Sequence, residues 1–495
     1  MFGSGSLDSP NNSPNNSPNN TPNNTPNNAQ YLRQFSDDLK LQGVTYVEDT
    51  VGNVCLHYPG SGKGERVVLQ GHIDMVTERR ADSSHDFDTD PLTLRYDGAR
   101  WLTADGTTLG ADNGVGVCAA LAVVERACAG EISVPPLEVL CTVAEEVGLV
   151  GAFGLDVDAL GIRGTKLINL DSEDWPDVFV GCAGGGDSLL RKTVVMEATT
   201  SSPASVLSAP WKTATMTVSG LPGGHSGLDI HRGNGNAVVL AAELAIQVLS
   251  AHPDVRLVSI CGGDKRNALA RDAVVCLAVP DDVDLDVESL RASVDHPDAR
   301  VELAEAPTAE ATFIRRDDAL SLLSLLVSLP HGVIRLEADG NVQTSSNVAS
   351  IKIEGSDACR YVVQCSTRSS VDAHLERVRR SICLVGEQLG FDVEQNEAYP
   401  GWQDAGETEL RSLAIEVIRK TGVEPKVRTI HAGLEAGILK KKMEAALGGT
   451  VDAIAIGPTI VGAHSPDEAC DLVTTHAFYN VLEGLLVALG GYDST

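Results

Sequence analysis

The sequence has few aromatic residues and few basic ones. Aromatic residues make up only 4% of the 495 residues, so the cores must be built from Ala, Val, Leu and Ile. Lys and Arg number 38 against 68 Asp and Glu, which gives a formal net charge of −30. This negative charge repels phosphate backbones and anionic lipid headgroups. We therefore expect neither nucleic acid nor a membrane as a partner.

Three further features are missing. No apolar run approaches the ~18–20 residues needed to span a bilayer. No basic segment followed by an apolar stretch marks a secretory signal at the start. The eleven cysteines are an odd number and include no C-x-x-C pair, a pattern typical of reduced thiols. These absences together predict a cytoplasmic protein.

The chain is longer than the roughly 250–300 residues at which single cores stop growing, so more than one domain is expected. Residues 1–28 repeat Asn-Asn-Ser/Thr-Pro with almost no apolar side chain, which predicts a disordered tail. Strands alternate with helices over 29–186 and again over 391–495, whereas 187–390 is richer in strands. This pattern predicts an α/β domain with a mostly parallel sheet, interrupted by an inserted α+β domain.

Acidic residues and a histidine follow the apolar strands predicted at 66–70, 137–143 and 166–170. His72 and Asp74 follow the first strand, Glu145 and Glu146 the second, and Asp171 the third. Open α/β sheets bind ligands at the carboxyl ends of their strands, so we expect these side chains to lie close together.

Two more candidates come from other segments. Asp112 stands at the start of a predicted helix of small residues, and His464 lies in a loop near the end of the chain. Taken alone, each could be an ordinary cap or loop residue. A combined set of imidazoles and carboxylates suits zinc, manganese or cobalt, and it is too large for one open catalytic ion. The sequence therefore predicts a site for two divalent metal ions.

Several long motifs occur in a familiar order, among them GHIDM, GTTLGADNGVG, LINLDSE, GCAGG, GGHSGLDIH and GPTIVGAHSPDE. Together they resemble the aminoacyl-histidine dipeptidases, a branch of metallopeptidase family M20. The resemblance runs from about residue 51 to residue 489. It implies a catalytic domain of the zinc-exopeptidase type and an inserted lid domain that mediates dimerisation.

The resemblance also implies roles for the candidate residues. Asp112 would bridge two metal ions, for which zinc is expected and manganese or cobalt are the alternatives. Asp74 would orient an imidazole, and Glu145 would be the general base. The remaining metal ligands would be His72 and Asp171 at one ion, and Glu146 and His464 at the other.

Three residues of the inserted domain resemble groups that contact the substrate. His225 resembles a histidine that reaches the developing oxyanion. Asn347 and Arg368 resemble groups that hold the substrate's carboxylate, a task for which the guanidinium fork is suited.

The expected function is hydrolysis of small dipeptides with a free carboxylate, of the Xaa-His or carnosine-like type. Two alternatives within the same fold are a dipeptidase of broader specificity and an acyl-amino-acid amidohydrolase. A further alternative is a metal-binding scaffold without catalysis. The presence of both Glu145 and His225 argues against the scaffold, which needs neither a base nor an oxyanion donor.

Overall fold

The computed structural model describes residues 25–198, 211–308, 312–355 and 359–491. Its chain forms two compact units. Unit 1 contains the described residues up to Cys182, Trp402–Thr429 and the described residues from Leu434 onward. Unit 2 contains Ala183–Gly401 and Ile430–Gly433.

The helices of eight residues or more, and two shorter ones, are numbered in chain order. They are α1 (Thr25–Asp38), α2 (Ala111–Cys128), α3 (Val150–Gly154), α4 (Ala237–Ala251), α5 (Val287–Ala292), α6 (Arg316–Ser328), α7 (Asp372–Gln388), α8 (Glu409–Lys420), α9 (Glu435–Leu447) and α10 (Leu472–Leu489).

The strands are numbered in the same way. They are β1 (Thr45–Glu48), β2 (Val54–Tyr58), β3 (Val67–His72), β4 (Leu94–Asp97), β5 (Trp101–Ala104), β6 (Leu137–Thr142), β7 (Lys166–Asn169), β8 (Asp177–Cys182), β9 (Gly184–Thr193), β10 (Met196–Ala198), β11 (Trp211–Ser219), β12 (Arg256–Gly262), β13 (Ala273–Pro280), β14 (Arg300–Thr308), β15 (Thr312–Ile314), β16 (Gly332–Leu336), β17 (Val342–Glu354), β18 (Arg360–Ser369), β19 (Asp392–Gln395), β20 (Lys426–Ile430), β21 (Asp452–Ala455), β22 (Ile460–Val461) and β23 (Ala469–Asp471).

Unit 1 is built on an eight-stranded sheet of order β1-β2-β6-β3-β7-β21-β8-β20. Strands β6, β3, β7 and β21 are parallel to their neighbours in this series, while β1, β2 and β8 pair antiparallel. Every residue of β3, β6 and β7 is buried, as expected for strands covered on both faces. The mostly parallel character predicted from the sequence is therefore confined to the centre of the sheet.

Unit 2 contains a nine-stranded sheet of order β14-β11-β13-β12-β17-β18-β9-β19, with β16 paired to β17. All of its described pairings are antiparallel. Strand β11 alternates buried and half-buried residues, the pattern of a sheet covered on one face. Helices α4 and α7 pack against this sheet.

The boundary of unit 2 differs from the sequence-based limits of 187 and 390. Strand β9 begins at Gly184 and forms the sheet's ladder with β18, and β19 continues that sheet beyond residue 390. Tyr399 then pairs with Gly185, so the chain stays in unit 2 until Gly401.

The predicted tail, residues 1–28, overlaps the start of helix α1. Residues 1–24 lie outside the described residues, whereas helix α1 begins at Thr25 within the repeat. Asn28 is 2% exposed, and its side chain donates a hydrogen bond to the carbonyl of Ile73. Leu32 and Phe35 of the same helix belong to the core of unit 1. The last residues of the repeat thus belong to a helix that packs against the core of unit 1.

Helix α10 corrects one expectation. Its 18 residues have a mean hydropathy of 1.4, which is long and apolar enough to cross a membrane by length and composition. Single polar residues, such as Glu483, interrupt the apolar run without lowering its average much. Phe478, Leu482 and Leu485 of this helix are fully buried in the core of unit 1, and 28% of the helix is buried in all. One helix of this length and composition is weak evidence for a membrane span.

Candidate metal centre

The three parallel strands β6, β3 and β7 are neighbours and end at the same edge of the sheet. Their ends place His72, the Glu145-Glu146 pair and Asp171 together. Gly71 is required at the end of β3, because a Cβ there would lie 2.1 Å from Oδ1 of Asn113 at the start of α2. The strand can therefore pack closely against the helix that carries Asp112.

Asp74 organises the turn after β6. Its two carboxylate oxygens accept hydrogen bonds from the backbone N–H of Glu145 at 3.0 Å and of Glu146 at 3.1 Å. Ala144, just before this pair, has a φ of 52°, a left-handed conformation that is uncommon for a residue with a side chain. Nδ1 of His72 is 3.0 Å from the backbone carbonyl oxygen of Asp74 and 3.6 Å from its Oδ1. Asp74 thus fixes the acidic pair through its carboxylate and the histidine through its backbone carbonyl.

Asp112 lies between two imidazoles. Its Oδ1 is 3.0 Å from Nε2 of His72, and its Oδ2 is 3.0 Å from Nε2 of His464. Each imidazole also faces a second carboxylate. Asp171 Oδ1 is 3.4 Å from His72 Nε2, and Glu146 Oε2 is 3.2 Å from His464 Nε2. The seven unit 1 residues singled out from the sequence are therefore brought together in the folded chain.

The charges in this cluster are strongly coupled. Desolvation raises the pKa of Glu145 well above the usual carboxyl range, and it raises that of Asp171 to about 7. Burial also opposes ionisation of Asp112, yet hydrogen bonds with His464 and His72 hold its pKa well below its usual range. The pKa of His464 is raised to about 11, first by its hydrogen bond with Asp112. Buried carboxyl groups outnumber the imidazoles that could neutralise them.

The donor set fits a divalent cation. Ligand atoms of His72, Asp112 and Glu146 lie within 4.8 Å of one another. Oε1 of Glu146 is buried and has no hydrogen-bond partner, so this oxygen has lost its solvation without replacement. Imidazole nitrogen with carboxylate oxygen is a ligand combination that zinc and related transition metals prefer.

A buried polar layer lies beneath the cluster, and sequence reasoning missed it. The side chain of Gln70 on β3 donates to Glu435 Oε2 at 2.6 Å, and that oxygen also accepts from Thr142 on β6 at 2.5 Å. Asn169 on β7 donates to Gln70 Oε1 at 2.7 Å. Desolvation raises the pKa of Glu435 to about 7. This network joins the three strands just before the ends that carry the candidate ligands.

Unit 2 carries a second group of candidate residues. Nδ1 of His225 accepts hydrogen bonds from the backbone N–H of Gly227 and Leu228 at 3.1 and 3.0 Å, which leaves the ring proton on Nε2. A Cβ on Gly227 would lie 3.1 Å from His225 Cε1 and 3.2 Å from Arg368 Nε. The histidine and the arginine therefore meet at this glycine.

Arg368 is only 8% exposed, and its Nε has no hydrogen-bond partner. Its guanidinium donates to the Tyr399 hydroxyl at 3.1 Å and forms no ion pair with any residue that the structure describes. A buried guanidinium without a counter-ion is costly, so this position favours an anionic ligand.

His431 belongs to the same group and was not anticipated. It lies in the short segment Ile430–Gly433, which is part of unit 2 although its flanks belong to unit 1. Its Nε2 is 2.7 Å from the Ser345 hydroxyl. Desolvation, together with the nearby charges of Arg368 and His225, lowers its pKa to about 3.

Asn347, expected to contact the substrate, is buried beside the segment that carries His225. It is 1% exposed, its amide nitrogen donates to the carbonyl of Ala268 at 2.8 Å, and its oxygen faces Asn236 at 3.4 Å. Ala268 in turn pairs with His225 through an isolated β-bridge. In this structure Asn347 supports the segment that carries the histidine.

Comparison with known proteins places these features in a family. A model described as peptidase family M20/M25/M40 matches residues 68–488. The chain is 36% identical over 468 residues to the cytosol non-specific dipeptidase of Escherichia coli (strain K12), covering 90% of each sequence. It matches the structure of aminoacylhistidine dipeptidase from Vibrio alginolyticus with a TM-score of 0.77 and 34% identity, covering 93% of this chain and 92% of the other. An M20 family metallo-carboxypeptidase from Sulfolobus solfataricus shares the fold, with a TM-score of 0.51 and 14% identity over 95% of each chain.

Proposed function

The chain belongs to peptidase family M20/M25/M40, and we propose that it is a metal-dependent dipeptidase that cleaves Xaa-His and related dipeptides. The observation that carries this proposal is the placement of Asp112 between His72 and His464. Glu145 is held at the same site by Asp74 and interacts with the charge of His72. Two divalent ions would be held there. Zinc is the metal that we propose, and manganese and cobalt are the alternatives. His72, Asp112 and Asp171 would hold one ion, and Asp112, Glu146 and His464 the other.

Divalent ions bound in such a site polarise the scissile carbonyl and lower the pKa of water toward neutrality. Glu145 would accept the proton from the attacking water, and then donate it to the leaving amine nitrogen. Asp74 would hold Glu145 in place by accepting a hydrogen bond from the backbone N–H of Glu145. It would also keep the imidazole of His72 oriented.

The residues of unit 2 would bind the substrate. The Nε2–H of His225 would donate to the oxygen on which negative charge develops, because its Nδ1 already accepts two backbone N–H groups. Arg368 would pair with the free carboxylate of the dipeptide. His431, beside Arg368, would be neutral because its pKa is lowered to about 3, so Arg368 would supply the positive charge for the carboxylate.

The named relatives support dipeptides as the substrate class but differ in breadth. One is described as non-specific and the other as an aminoacylhistidine dipeptidase. Broad dipeptidase activity is therefore the second candidate. Cytoplasmic location is also proposed, supported by the cytosolic relative and by eleven cysteines that form no disulfide.

The purified metal-free chain should be reloaded with zinc, manganese or cobalt and given a panel of Xaa-His, other Xaa-Xaa and N-acetylated amino acid substrates. Free dipeptides should be cleaved, with Xaa-His among the best. Cleavage of only the N-acetylated compounds would favour the amidohydrolase alternative, and no cleavage with any metal would refute the enzyme assignment.

Glu145→Gln should abolish turnover while zinc content stays near that of the wild type, because the side chain loses its basicity and not a ligand. Glu146→Gln is the matched control, since it makes the same change one residue away. It should lower zinc content together with activity. Zinc per chain measured by atomic absorption, next to kcat, separates the two. Loss of zinc in Glu145→Gln with retention in Glu146→Gln would mean that the two roles are exchanged.

Arg368→Met should lower kcat/KM for a dipeptide by roughly 10–100-fold, since hydrogen bonds to charged groups contribute about 1.5–3 kcal/mol. The same variant should change kcat/KM for the corresponding dipeptide amide little, because the amide has no carboxylate. Arg360→Met, on the same strand but exposed, should leave both values unchanged. Equal losses on the dipeptide and its amide would contradict carboxylate recognition by Arg368.

We further propose a homodimer through unit 2. Strand β16 pairs with β17 on one side, and no other described strand pairs with its second edge. Val333, Ile334 and Leu336 of this strand are 37%, 44% and 53% exposed. An exposed apolar edge strand is a surface on which a second chain can pair.

Ile334→Asp should shift the sedimentation coefficient from that of a dimer to that of a monomer, because it buries a charge at the edge of β16. Leu384→Asp places the same charge on an exposed residue of α7 and should leave the dimer intact. An unchanged dimer in Ile334→Asp, or a monomeric wild type, would rule out this interface.

A further inference from the structure

Glu468 is a buried carboxylate that the reaction as derived above does not use. It is 2% exposed and lies four residues after His464. Four consecutive backbone N–H groups at the start of α2 donate to it. The donors and their distances are Leu109 at 2.7 Å, Gly110 at 3.0 Å, Ala111 at 2.8 Å and Asp112 at 3.3 Å.

These contacts fix the backbone that carries Asp112. Asp112 has φ −81° and ψ 107°, so the helical hydrogen-bond pattern does not by itself hold this residue in place. The first N–H groups of a helix have no partner within the helix and need an acceptor from elsewhere. Glu468 supplies that acceptor with a full negative charge, which is favourable at a helix N-terminus.

The backbone of Glu468 also belongs to the loop that carries His464. His464 has a φ of 63°, a left-handed conformation that is unfavourable for a residue with a Cβ. Such a conformation persists only where the surrounding structure holds it. Within the loop, the N–H of Glu468 donates to the Ser465 carbonyl at 3.0 Å. The neighbouring ion pair of Arg80 with Asp467 is exposed, so it contributes little.

We propose that Glu468 is a positioning residue of the metal centre, which ties the loop of His464 to the backbone of Asp112. The two ligands are far apart in sequence, and the 3.0 Å approach of His464 Nε2 to Asp112 Oδ2 depends on how their segments are held together. Glu468 joins these segments through buried hydrogen bonds. The inference rests on the proposed metal centre, and it assigns Glu468 an effect on metal affinity in addition to stability.

The test compares Glu468→Gln with Asp471→Asn in the full-length chain. Asp471 is also a fully buried carboxylate that caps a helix, since it accepts from the N–H of Val473 in α10 at 3.0 Å, but it holds no candidate ligand. Zinc affinity is measured by competition with a chromophoric chelator, and stability by the thermal midpoint of the metal-free protein. Glutamine has one acceptor oxygen and places an NH₂ group against N–H donors, so it cannot replace the carboxylate.

Glu468→Gln should weaken zinc binding by roughly 10–100-fold, the usual loss when a group that orients metal ligands is removed. Asp471→Asn should lower the thermal midpoint and leave zinc affinity unchanged. If both variants lower the midpoint and neither changes zinc affinity, Glu468 is a structural cap only and the proposal is wrong.

A second variant guards against a Glu468→Gln protein that does not fold. Glu468→Asp keeps the charge but shortens the side chain by one methylene, so it should also weaken zinc binding, and unchanged affinity would overturn the proposal. A wild-type chain that binds no zinc would refute the proposed metal centre itself. If instead the wild type binds zinc and both Glu468 variants bind it with the same affinity, only the positioning role of Glu468 is refuted.

Discussion

The carboxylate of Asp112 lies 3.0 Å from an imidazole nitrogen of His72 and of His464, and the candidate metal centre is built around this shared contact. His72 lies at the end of β3, and His464 lies in a loop that follows unit 2 in the sequence. The segments on both sides of the insertion must therefore fold together before the cluster exists. The buried layer of Gln70, Glu435 and their partners fixes the strands from below.

Much of this arrangement could be predicted from the sequence. The M20 family membership and the α/β fold with an inserted α+β domain are confirmed. The proximity of His72, Glu145 and Asp171 followed from one physical rule, because polar residues after apolar parallel strands meet at one sheet edge. Asp112 and His464 were candidates from their own segments, and the resemblance gave them their roles as metal ligands. Their individual roles stay predictions.

Other features gave no usable signal. Glu435 begins an ordinary-looking helix with several lysines, and only the fold shows that its carboxylate is fully buried under strands more than 290 residues away in sequence. Ala144 adopts a left-handed conformation that its residue type does not suggest. His431 lies in a four-residue segment whose flanks belong to the other unit. Each depends on long-range packing, which local residue patterns do not encode.

The substrate side illustrates how local and global charge differ. A net charge of −30 repels anions at long range, yet screening limits exposed charges to about 8–10 Å at ordinary salt. Arg368 lies near His225 and His431 and forms no ion pair with any carboxylate that the structure describes. A small substrate with one carboxylate can therefore be favoured in a chain that would repel a polyanion.

The central claim is that Asp112 is shared by two metal ions. Anomalous diffraction from zinc-loaded crystals, recorded on both sides of the zinc absorption edge, would locate the ions directly. If Asp112 is shared by two ions, two peaks per chain should flank its carboxylate. One should lie beside His72 and Asp171, and the other beside His464 and Glu146. A single peak, or peaks that do not contact Asp112, would contradict it.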